Sequence, residues 1–590
     1  MLAKIANDDH NQQALMISRD IFSTFTLERH TLYRYVPVPF PLSLPMIRSL
    51  TLAGCLLLAF ALCLFGPALS QAATDAELRK AAQGEKLTEE EFNSVKKALI
   101  KDGRSGKASS EAMQELIGKL RDAPAVKIGP DRKSRHKMLE NTLVDLRMIY
   151  EGELAAGAIP PDKLQKHPSA DLFPGAIPGQ VKPSTQTCEI NANSYRWQST
   201  GLYAPPGETI RVIIPDAYVD AGWKLRIGAN STTIDVPRHK TINRFPKIDR
   251  VYDLKERTTV VGSSFGGLIY IELPTPKAKT FLAKDSDIYN LIDQYTPPPK
   301  KMCQVRFTNV IQAPRYVHGE TDIREWRSQI RNYPAPYAEI GSDKVIFMLP
   351  SQFVRKLDTP DLAMEKWDAV IDAMSEISGR PKTKPFPHRF LIDAHVNWGA
   401  AFASYPINAP FSWAEAIVKG EPEWGHCHEL GHLHQHRAWT YQGTGEVTVN
   451  IFAHYALEQV YGRVPDRGSR QTVLEKTRDY ISRPLEDRNW TTVNGALFER
   501  LAFYQVLSYE FGWEPFKQVF REYRALPLDQ HPKSDVDRAS DFLIRMSRAT
   551  NHNLGPYFTQ WGVQVHDTAL QEVQSLPAWE SAMVKEALAK

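Results

Sequence analysis

The pentapeptide HELGH at residues 428–432 constrains the local fold more than any other feature of this sequence. Side chains four residues apart lie on one face of an α-helix, one turn above the other. At that spacing His428 and His432 can bind one zinc ion through ring nitrogens, and the carboxylate of Glu429 can reach a water molecule beside the metal. The motif therefore predicts a helix over Glu423–His436 that carries a site for one Zn²⁺.

A catalytic zinc site needs a third protein ligand and one open position. The sequence GTGEVTVN at 443–450 places Glu446 at the start of a second predicted helix, Glu446–Tyr461, directly after a glycine-rich turn. If this helix packs across the first, Glu446 completes a set of two histidines and one glutamate. Asn450, one turn further on, can then orient a ligand or the substrate. The alternative for Glu446 is a carboxylate that the dipole of its own helix stabilises.

Other residues that commonly bind metals lie close to the motif. His426, His434 and His436 are expected to face solvent or to support the ligands from behind, rather than to bind the metal. Cys427 is expected to be a small buried helix residue, because its side chain points away from the ligand face.

Length and charge exclude some classes of function. A chain of 590 residues is too long for one core, so several domains are expected. The formal net charge is only +4, and the absence of a long Lys/Arg block argues against a nucleic-acid partner. Cys188 and Cys303 bracket a strand-rich region, where a disulfide and two buried free thiols are both consistent with the sequence. The oligomeric state stays open.

Residues 46–73 have the three parts of a secretory signal: one basic residue, an uncharged apolar stretch at 50–65, and small residues before the predicted cleavage site. The alternative is an uncleaved anchor formed by residues 50–65. Residues 1–45 are expected to be a poorly defined extension, with translation starting at Met46. The rest of the protein is then exported to the periplasm, the cell surface or the medium, and only such an anchor contacts a membrane.

Residue patterns divide the exported part into regions of different character. Thr88 and Glu91 form a predicted capping box, and the last helix of the first region is predicted over Ser134–Leu154. Short β-branched runs separated by turn residues predict a β-sandwich further on. The predicted parts are a helical region at 74–165, a linker at 166–184, a β-sandwich at 185–300 and a mostly helical domain with a small sheet at 301–590. The predicted class is multidomain α+β.

Several segments together resemble one enzyme family. EWG at 423–425, HELGH, Gln435 and GEVTVN at 445–450 resemble the M60-like, enhancin-related metallopeptidases. The runs at 197–207 and 265–271 resemble the sandwich domain that precedes the catalytic domain in that family.

This resemblance implies a zincin-type catalytic domain of the gluzincin kind. It implies that His428, His432 and Glu446 hold the zinc ion and that Glu429 is the catalytic carboxylate. Known activities in the family cleave mucins and other glycoproteins, in some cases only beside an O-glycan.

One loop departs from the family pattern. The family often has His and Gly shortly before a Tyr-Pro pair, where this chain has Phe402 and Ser404 before Tyr405. If that loop lines the cleft, substrate preference differs here. Tyr405, His395 and Tyr504 are candidate donors to the oxyanion of the reaction, with purely structural roles as the alternative.

The sequence thus predicts an exported zinc metallopeptidase that hydrolyses peptide bonds in glycoprotein or mucin-like substrates by Glu-assisted attack of zinc-activated water. The expected partner is a protein or glycoprotein substrate that carries O-glycans in one version of this prediction. The alternative is a catalytically weak or inactive cell-surface protein that binds glycan or protein on a zincin scaffold. A zinc hydrolase acting on a non-peptide bond is also compatible with the motif.

Overall fold

The structure, a computed structural model, describes residues 73–155, 159–275, 298–383, 386–462, 464, 466–488, 490 and 496–589. The predicted signal or anchor segment at 50–65, and the extension before it, lie outside these ranges. Among the helices within these ranges, none is both long and apolar enough to cross a membrane.

Helices form the region that precedes the sandwich. They are α1 (Asp75–Ala82), α2 (Glu89–Ser105), α3 (Glu111–Asp122) and α4 (Thr142–Ala155). The capping box predicted at the start of α2 is present, because Thr88 Oγ1 accepts from the N–H of Glu91 while the Glu91 carboxylate accepts from the N–H of Thr88. The helix predicted over Ser134–Leu154 begins only at Thr142, because residues 136–137 pair as a short strand with residues 241–242.

The next region is built from antiparallel strands. They are β1 (His136–Lys137), β2 (Ser184–Asn191), β3 (Arg196–Ala204), β4 (Thr209–Ile213), β5 (Lys224–Ile227), β6 (Thr241–Ile242), β7 (Arg250–Asp253), β8 (Thr258–Gly262), β9 (Gly267–Leu273) and β10 (Met302–Gln312). β1 pairs with β6, and the other eight strands form one sheet.

The eight-stranded sheet folds over its own core because β10 belongs to both halves. The first part of β10 pairs with β2 and β4, and its end pairs with β3. Buried side chains from both halves share one apolar cluster, including Leu202, Val212, Leu225, Ile271 and Phe307. The sheet therefore has the sandwich arrangement, and it extends to Gln312, past residue 300, where the sequence placed the end of this domain.

Cys188 and Cys303 lie on the neighbouring strands β2 and β10 of this sheet. Cys188 is opposite Val305 and Cys303 is opposite Ile190, so the two thiols are diagonal rather than facing neighbours. Both cysteines are free. Of the two alternatives that the sequence left open, the structure therefore has the free thiols, and burial raises the pKa of Cys188 to about 11.

A five-stranded sheet forms the centre of the C-terminal domain. Its strands, in spatial order, are β11 (Arg315–Val317), β12 (Tyr337–Gly341), β13 (Val345–Pro350), β14 (His388–Asp393) and β15 (Ile407–Pro410). β12 and β13 are antiparallel, and the other neighbours are parallel. β14 is buried along its whole length, as expected for a parallel strand covered on both faces.

Helices surround this sheet and form most of the domain. They are α5 (Ile323–Ser328), α6 (Pro360–Ile377), α7 (Ala414–Lys419), α8 (Trp424–His434), α9 (Gly445–Tyr461), α10 (Arg470–Ile481), α11 (Leu497–Phe511), α12 (Glu514–Ala525), α13 (Asp535–Thr550), α14 (Gly555–Gln560), α15 (Asp567–Val573) and α16 (Ala582–Ala589). Trp367 of α6 packs against Phe347 and Phe390 of the sheet, with ring centroids 4.6 and 6.2 Å away. The predicted multidomain α+β class is confirmed.

Candidate metal centre

Helix α8 carries both histidines of the HELGH motif on one face. Its first turn is closed by a capping arrangement in which the N–H of Glu423 donates to Nδ1 of His426. One helical turn separates His428 from His432, and their ring centroids are 5.0 Å apart. Both imidazoles remain partly exposed, with about a fifth of each side chain reached by solvent.

Glycine in the motif sets how closely the next helix packs. A Cβ atom on Gly431 would lie 2.5 Å from the carbonyl oxygen of Val449, so α9 can pack this closely against α8 only because residue 431 has no side chain. Gln435, just after α8, donates through Nε2 to the carbonyl of Gly445 and to Oγ1 of Thr448, both at 2.6 Å. These contacts fix the first turn of α9, which contains Glu446.

The three predicted ligand side chains converge. Oε2 of Glu446 lies 3.2 Å from Nε2 of His428 and 3.4 Å from Nε2 of His432. Within the part of the chain that the structure describes, these residues form the one group of three or more His, Cys, Asp or Glu side chains close enough to share a metal ion. Atoms bound at about 2.0–2.1 Å to a tetrahedral zinc are about 3.3–3.4 Å from one another. The donor set therefore fits zinc in both chemistry and spacing.

Asn450 orients the first histidine of the set. Its Oδ1 accepts from Nε1–H of Trp424 at 2.6 Å and lies 2.9 Å from Nδ1 of His428, while its Nδ2 donates to the carbonyl of Glu446 at 2.8 Å. Because Oδ1 can only accept, His428 must donate from Nδ1, which leaves Nε2 to face Glu446 and a metal. The sequence predicted an orienting role for Asn450 but had no indication of the part played by Trp424.

Electrostatics tie the histidines to Glu446. Burial by itself lowers the pKa of His428, but hydrogen bonds to Glu446 and Asn450 outweigh burial and raise it. Burial acts in the opposite sense on Glu446, and its hydrogen bonds to the two histidines outweigh burial and hold the pKa of this carboxyl well below its usual value. The carboxylate is therefore ionised over the whole physiological range, as a metal ligand must be.

Glu429 lies beside the set without joining it. Its side chain is 7% exposed. Burial raises its pKa, the charges of His428 and His432 act against that rise, and the backbone N–H of Ala403 donates to the carboxylate. A partly desolvated carboxyl with a raised pKa accepts and returns protons more readily than a solvated one.

The remaining histidines near the motif do not face solvent. His426, His434 and His436 are all buried, and none belongs to the ligand group. His426 packs on Trp413 at 4.2 Å between ring centroids, and burial lowers its pKa to about 4. The prediction that these residues face solvent was wrong, because the back of α8 packs into the domain core, which helical periodicity alone does not reveal.

The candidate oxyanion donors are engaged elsewhere. The hydroxyl of Tyr405 accepts from Nε of Arg389, and the hydroxyl of Tyr504 donates to that of Tyr441 in the helical core. His395 is buried beside His239. Their observed contacts are the structural ones that the sequence left as the alternative.

Two motif helices packed over a mixed sheet, with the ligand residues on facing turns, define the metallopeptidase fold. Residues 309–562 match the family described as peptidase M60, enhancin and enhancin-like, and residues 180–283 match the N-terminal domain of M60-like peptidases. Between them, these matches cover more than half of the chain. The protein belongs to the M60-like, enhancin-related peptidase family.

Curated relatives match over much of the chain. TRPM8 channel-associated factor 3 of Mus musculus is 30% identical over 424 residues, which are 71% of this chain and 43% of that protein. The TRPM8 channel-associated factor homolog of Danio rerio is 28% identical over 413 residues, 69% of this chain and 42% of that protein. The chain thus spans less than half the length of these relatives.

Among solved structures, IMPa from Pseudomonas aeruginosa in complex with an O-glycopeptide has a TM-score of 0.52 to this protein. The two are 15% identical, and the match covers 87% of this chain and 63% of that one. At this identity the likeness concerns the fold.

Proposed function

We propose that this protein is a zinc-dependent metallopeptidase in which His428, His432 and Glu446 hold one zinc ion and Glu429 acts as the general base. The observation that carries the proposal is the convergence of three ligand atoms at tetrahedral spacing, with a fourth, buried carboxyl beside them. Zinc bound by such a set supplies Lewis acidity, which makes a water molecule nucleophilic at neutral pH and polarises a carbonyl.

The residues of the chain supply the rest of the chemistry. Glu429 takes the proton of the attacking water and later returns a proton to the leaving amine. Its burial keeps the pKa high enough for that return, and the Ala403 N–H holds the carboxylate in place. Asn450 keeps Nε2 of His428 directed at the metal position.

The proposed substrate is an exported or cell-surface glycoprotein, including mucin-like chains. Two observations support this proposal. The apolar segment at 50–65 has the composition of a signal or anchor. IMPa, which shares the fold, is solved in complex with an O-glycopeptide.

The test is digestion of a mucin-type glycoprotein, followed by mass spectrometry of the products. The wild-type protein is expected to release peptides, and a chelator is expected to stop the release. Glu429→Gln keeps the shape of the side chain but cannot accept the proton, so it is expected to bind one zinc per chain and to lose about 10³-fold or more in kcat. Glu475→Gln, on the exposed surface of α10, is the matched control. Substantial turnover by Glu429→Gln would overturn the assignment of the base.

A second candidate function is binding without catalysis on the same zinc-containing scaffold. The observation that favours it is that the curated relatives are named for association with a channel rather than for cleavage. Zinc-dependent capture of the glycoprotein with no new peptides in any sample supports this function. Chelator-sensitive cleavage excludes it.

A further inference from the structure

The loop between β14 and β15, residues 394–406, reaches the candidate general base. Its Ala403 donates a backbone N–H to the Glu429 carboxylate. Most of the loop consists of bends, and its regular backbone pairing is one bridge between Phe402 and Asn408. A segment with so little hydrogen bonding of its own depends on other parts of the chain for its position.

Residues 229–249, between β5 and β7 of the sandwich, supply that support; we call them the cross-segment. Asn397 of the 394–406 loop is 5% exposed, and all of its side-chain partners lie on the cross-segment. Its Oδ1 accepts from the N–H of Asp235 at 2.9 Å and lies 3.0 Å from Nε2 of His239, and its Nδ2 donates to the carbonyl of Thr233 at 3.3 Å.

Further contacts fasten the start of the same loop. Arg244 of the cross-segment makes two hydrogen bonds, at 2.8 and 3.0 Å, to Asp393, the last residue of β14. Asn243 donates to the carbonyl of Ala394 at 3.1 Å. The guanidinium of Arg238 stacks on the ring of Trp398, 3.7 Å from its centroid.

The N-terminal helices hold the cross-segment from another side. Nζ of Lys96, on α2, lies 3.5 Å from Oδ1 of Asp235 and donates to the carbonyl of Val236. Apolar side chains of the cross-segment share one buried cluster with those of the helices, among them Leu78, Phe92, Leu99, Val236, Ile242 and Phe245. A continuous set of contacts therefore runs from α2 through the cross-segment to Asn397.

We infer that Asn397 is a positioning residue and that the N-terminal helices and the cross-segment together hold the 394–406 loop against Glu429. This inference rests on the proposed role of Glu429 and gives the helical region a part in catalysis without contact with the substrate. Loosening the loop leaves the metal ligands in place, because α8 and α9 do not depend on it, but removes the Ala403 donor from the general base.

Hydrogen exchange tests the inference without a substrate. In Asn397→Ala, the peptide covering residues 400–406 is expected to exchange about tenfold faster or more, because the loop opens more often. The peptide covering 424–434 is expected to be unchanged. The matched control is Asn193→Ala, which removes a hydrogen bond to the carbonyl of Pro299 on the other side of the sandwich. Unchanged exchange at 400–406 in a folded Asn397→Ala protein would overturn the inference.

Two more variants keep the test decisive if Asn397→Ala does not fold. Asn397→Asp retains the acceptor for Asp235 and His239 and loses only the longest bond, so its exchange at 400–406 is expected to lie between wild type and control-level loss of the loop. Lys96→Met, at the far end of the contact set, is expected to raise that exchange about two- to threefold. Wild-type exchange in both variants would contradict the inference.

Kinetics separate positioning from general destabilisation. With zinc content unchanged, Asn397→Ala is expected to lower kcat roughly 10–100-fold while KM changes little, because the base and not substrate binding is disturbed. Asn397→Asp is expected to recover most of that loss. An equal loss in Asn193→Ala would show a general effect instead. If no variant, nor the wild type, cleaves any substrate, the proposed peptidase function fails while the exchange result still decides the loop.

Discussion

The helix pair α8–α9 and the 394–406 loop both contribute to the surroundings of Glu429, but they are held in place in different ways. The contacts that orient the ligands join residues 18 to 22 positions apart in the chain. The contacts that hold the loop join residues 149 to 162 positions apart. The ligand geometry is therefore nearly local, whereas the wall beside the general base depends on two other regions folding first and packing correctly.

The largest expected effect falls on the loop side of this comparison. Arg244 and Asp393 are almost completely buried, with side chains 1% and 0% exposed. Arg244→Met leaves the carboxylate buried without its partner, so the free energy of unfolding is expected to fall by about 3–5 kcal/mol in chemical denaturation. Arg257→Met, which removes an exposed ion pair with Asp216, is the control and is expected to change little. A small effect in Arg244→Met would show that the loop does not need this anchor.

On the helix side, Glu446→Ala removes one ligand of the set. If zinc binding of about 10–16 kcal/mol is shared among four ligand positions, each is worth about 3–4 kcal/mol, so affinity is expected to fall roughly 10²–10³-fold. Competition with a zinc chelator measures this change. Glu458→Ala, on the same helix but bonded to Trp513, is expected to keep wild-type affinity. Unchanged affinity in Glu446→Ala would mean that another residue completes the site.

Asn450→Ala tests how far orientation contributes once the ligands are intact. It removes the acceptor for Nδ1–H of His428 and for Trp424, and zinc affinity is expected to fall about 10–100-fold. Asn450→Asp keeps the acceptor and is expected to restore most of the affinity. If both variants bind zinc as wild type does, then the packing of α8 on α9 alone orients His428.

The smallest effect, and the one that most sharpens the comparison, is a dependence on pH at the base of the loop. Burial first, and then the charges of His239 and Arg244, lower the pKa of His395 to about 3, against 6.5 in the unfolded chain. Between these values the unfolded chain binds more protons, so stability is complete above pH 6.5 and falls as the pH drops towards 3.

At pH 5 this contribution costs about 2 kcal/mol of stability relative to pH 7. His395→Gln is expected to lose that much less stability than wild type between pH 7 and pH 5, measured by denaturation at both values. Hydrogen exchange at pH 5 should show the added opening in the loop and not in α8. An identical loss in variant and wild type would remove His395 as its cause.

Much of the ligand site could be predicted because helical spacing is a local rule. The motif placed His428 and His432 on one face, and the glycine-rich turn before Glu446 marked the start of the second helix. The close approach of the two helices was not predicted, although Gly431 lies inside the motif, because nothing in a sequence shows which atom opposes a missing Cβ. The bonds from Gln435 to the first turn of α9 were missed for the same reason.

The less successful predictions concern which side of an element faces the core. His426, His434 and His436 were expected to be solvent-facing, and the helix predicted from Ser134 starts only at Thr142. In both cases a partner remote in the chain decided the outcome: the domain core behind α8, and residues 241–242 for the short strand.

The sequence by itself determined the class of fold, the family and the candidate ligand residues, because each rests on spacing within one or two neighbouring helices. Only the tertiary structure decided that Asn397, Arg244 and Lys96 belong to one set of contacts around the Ala403 loop. Contacts between residues 139 to 162 positions apart leave no periodic trace in a single chain, since any polar residue on either segment could have been the partner.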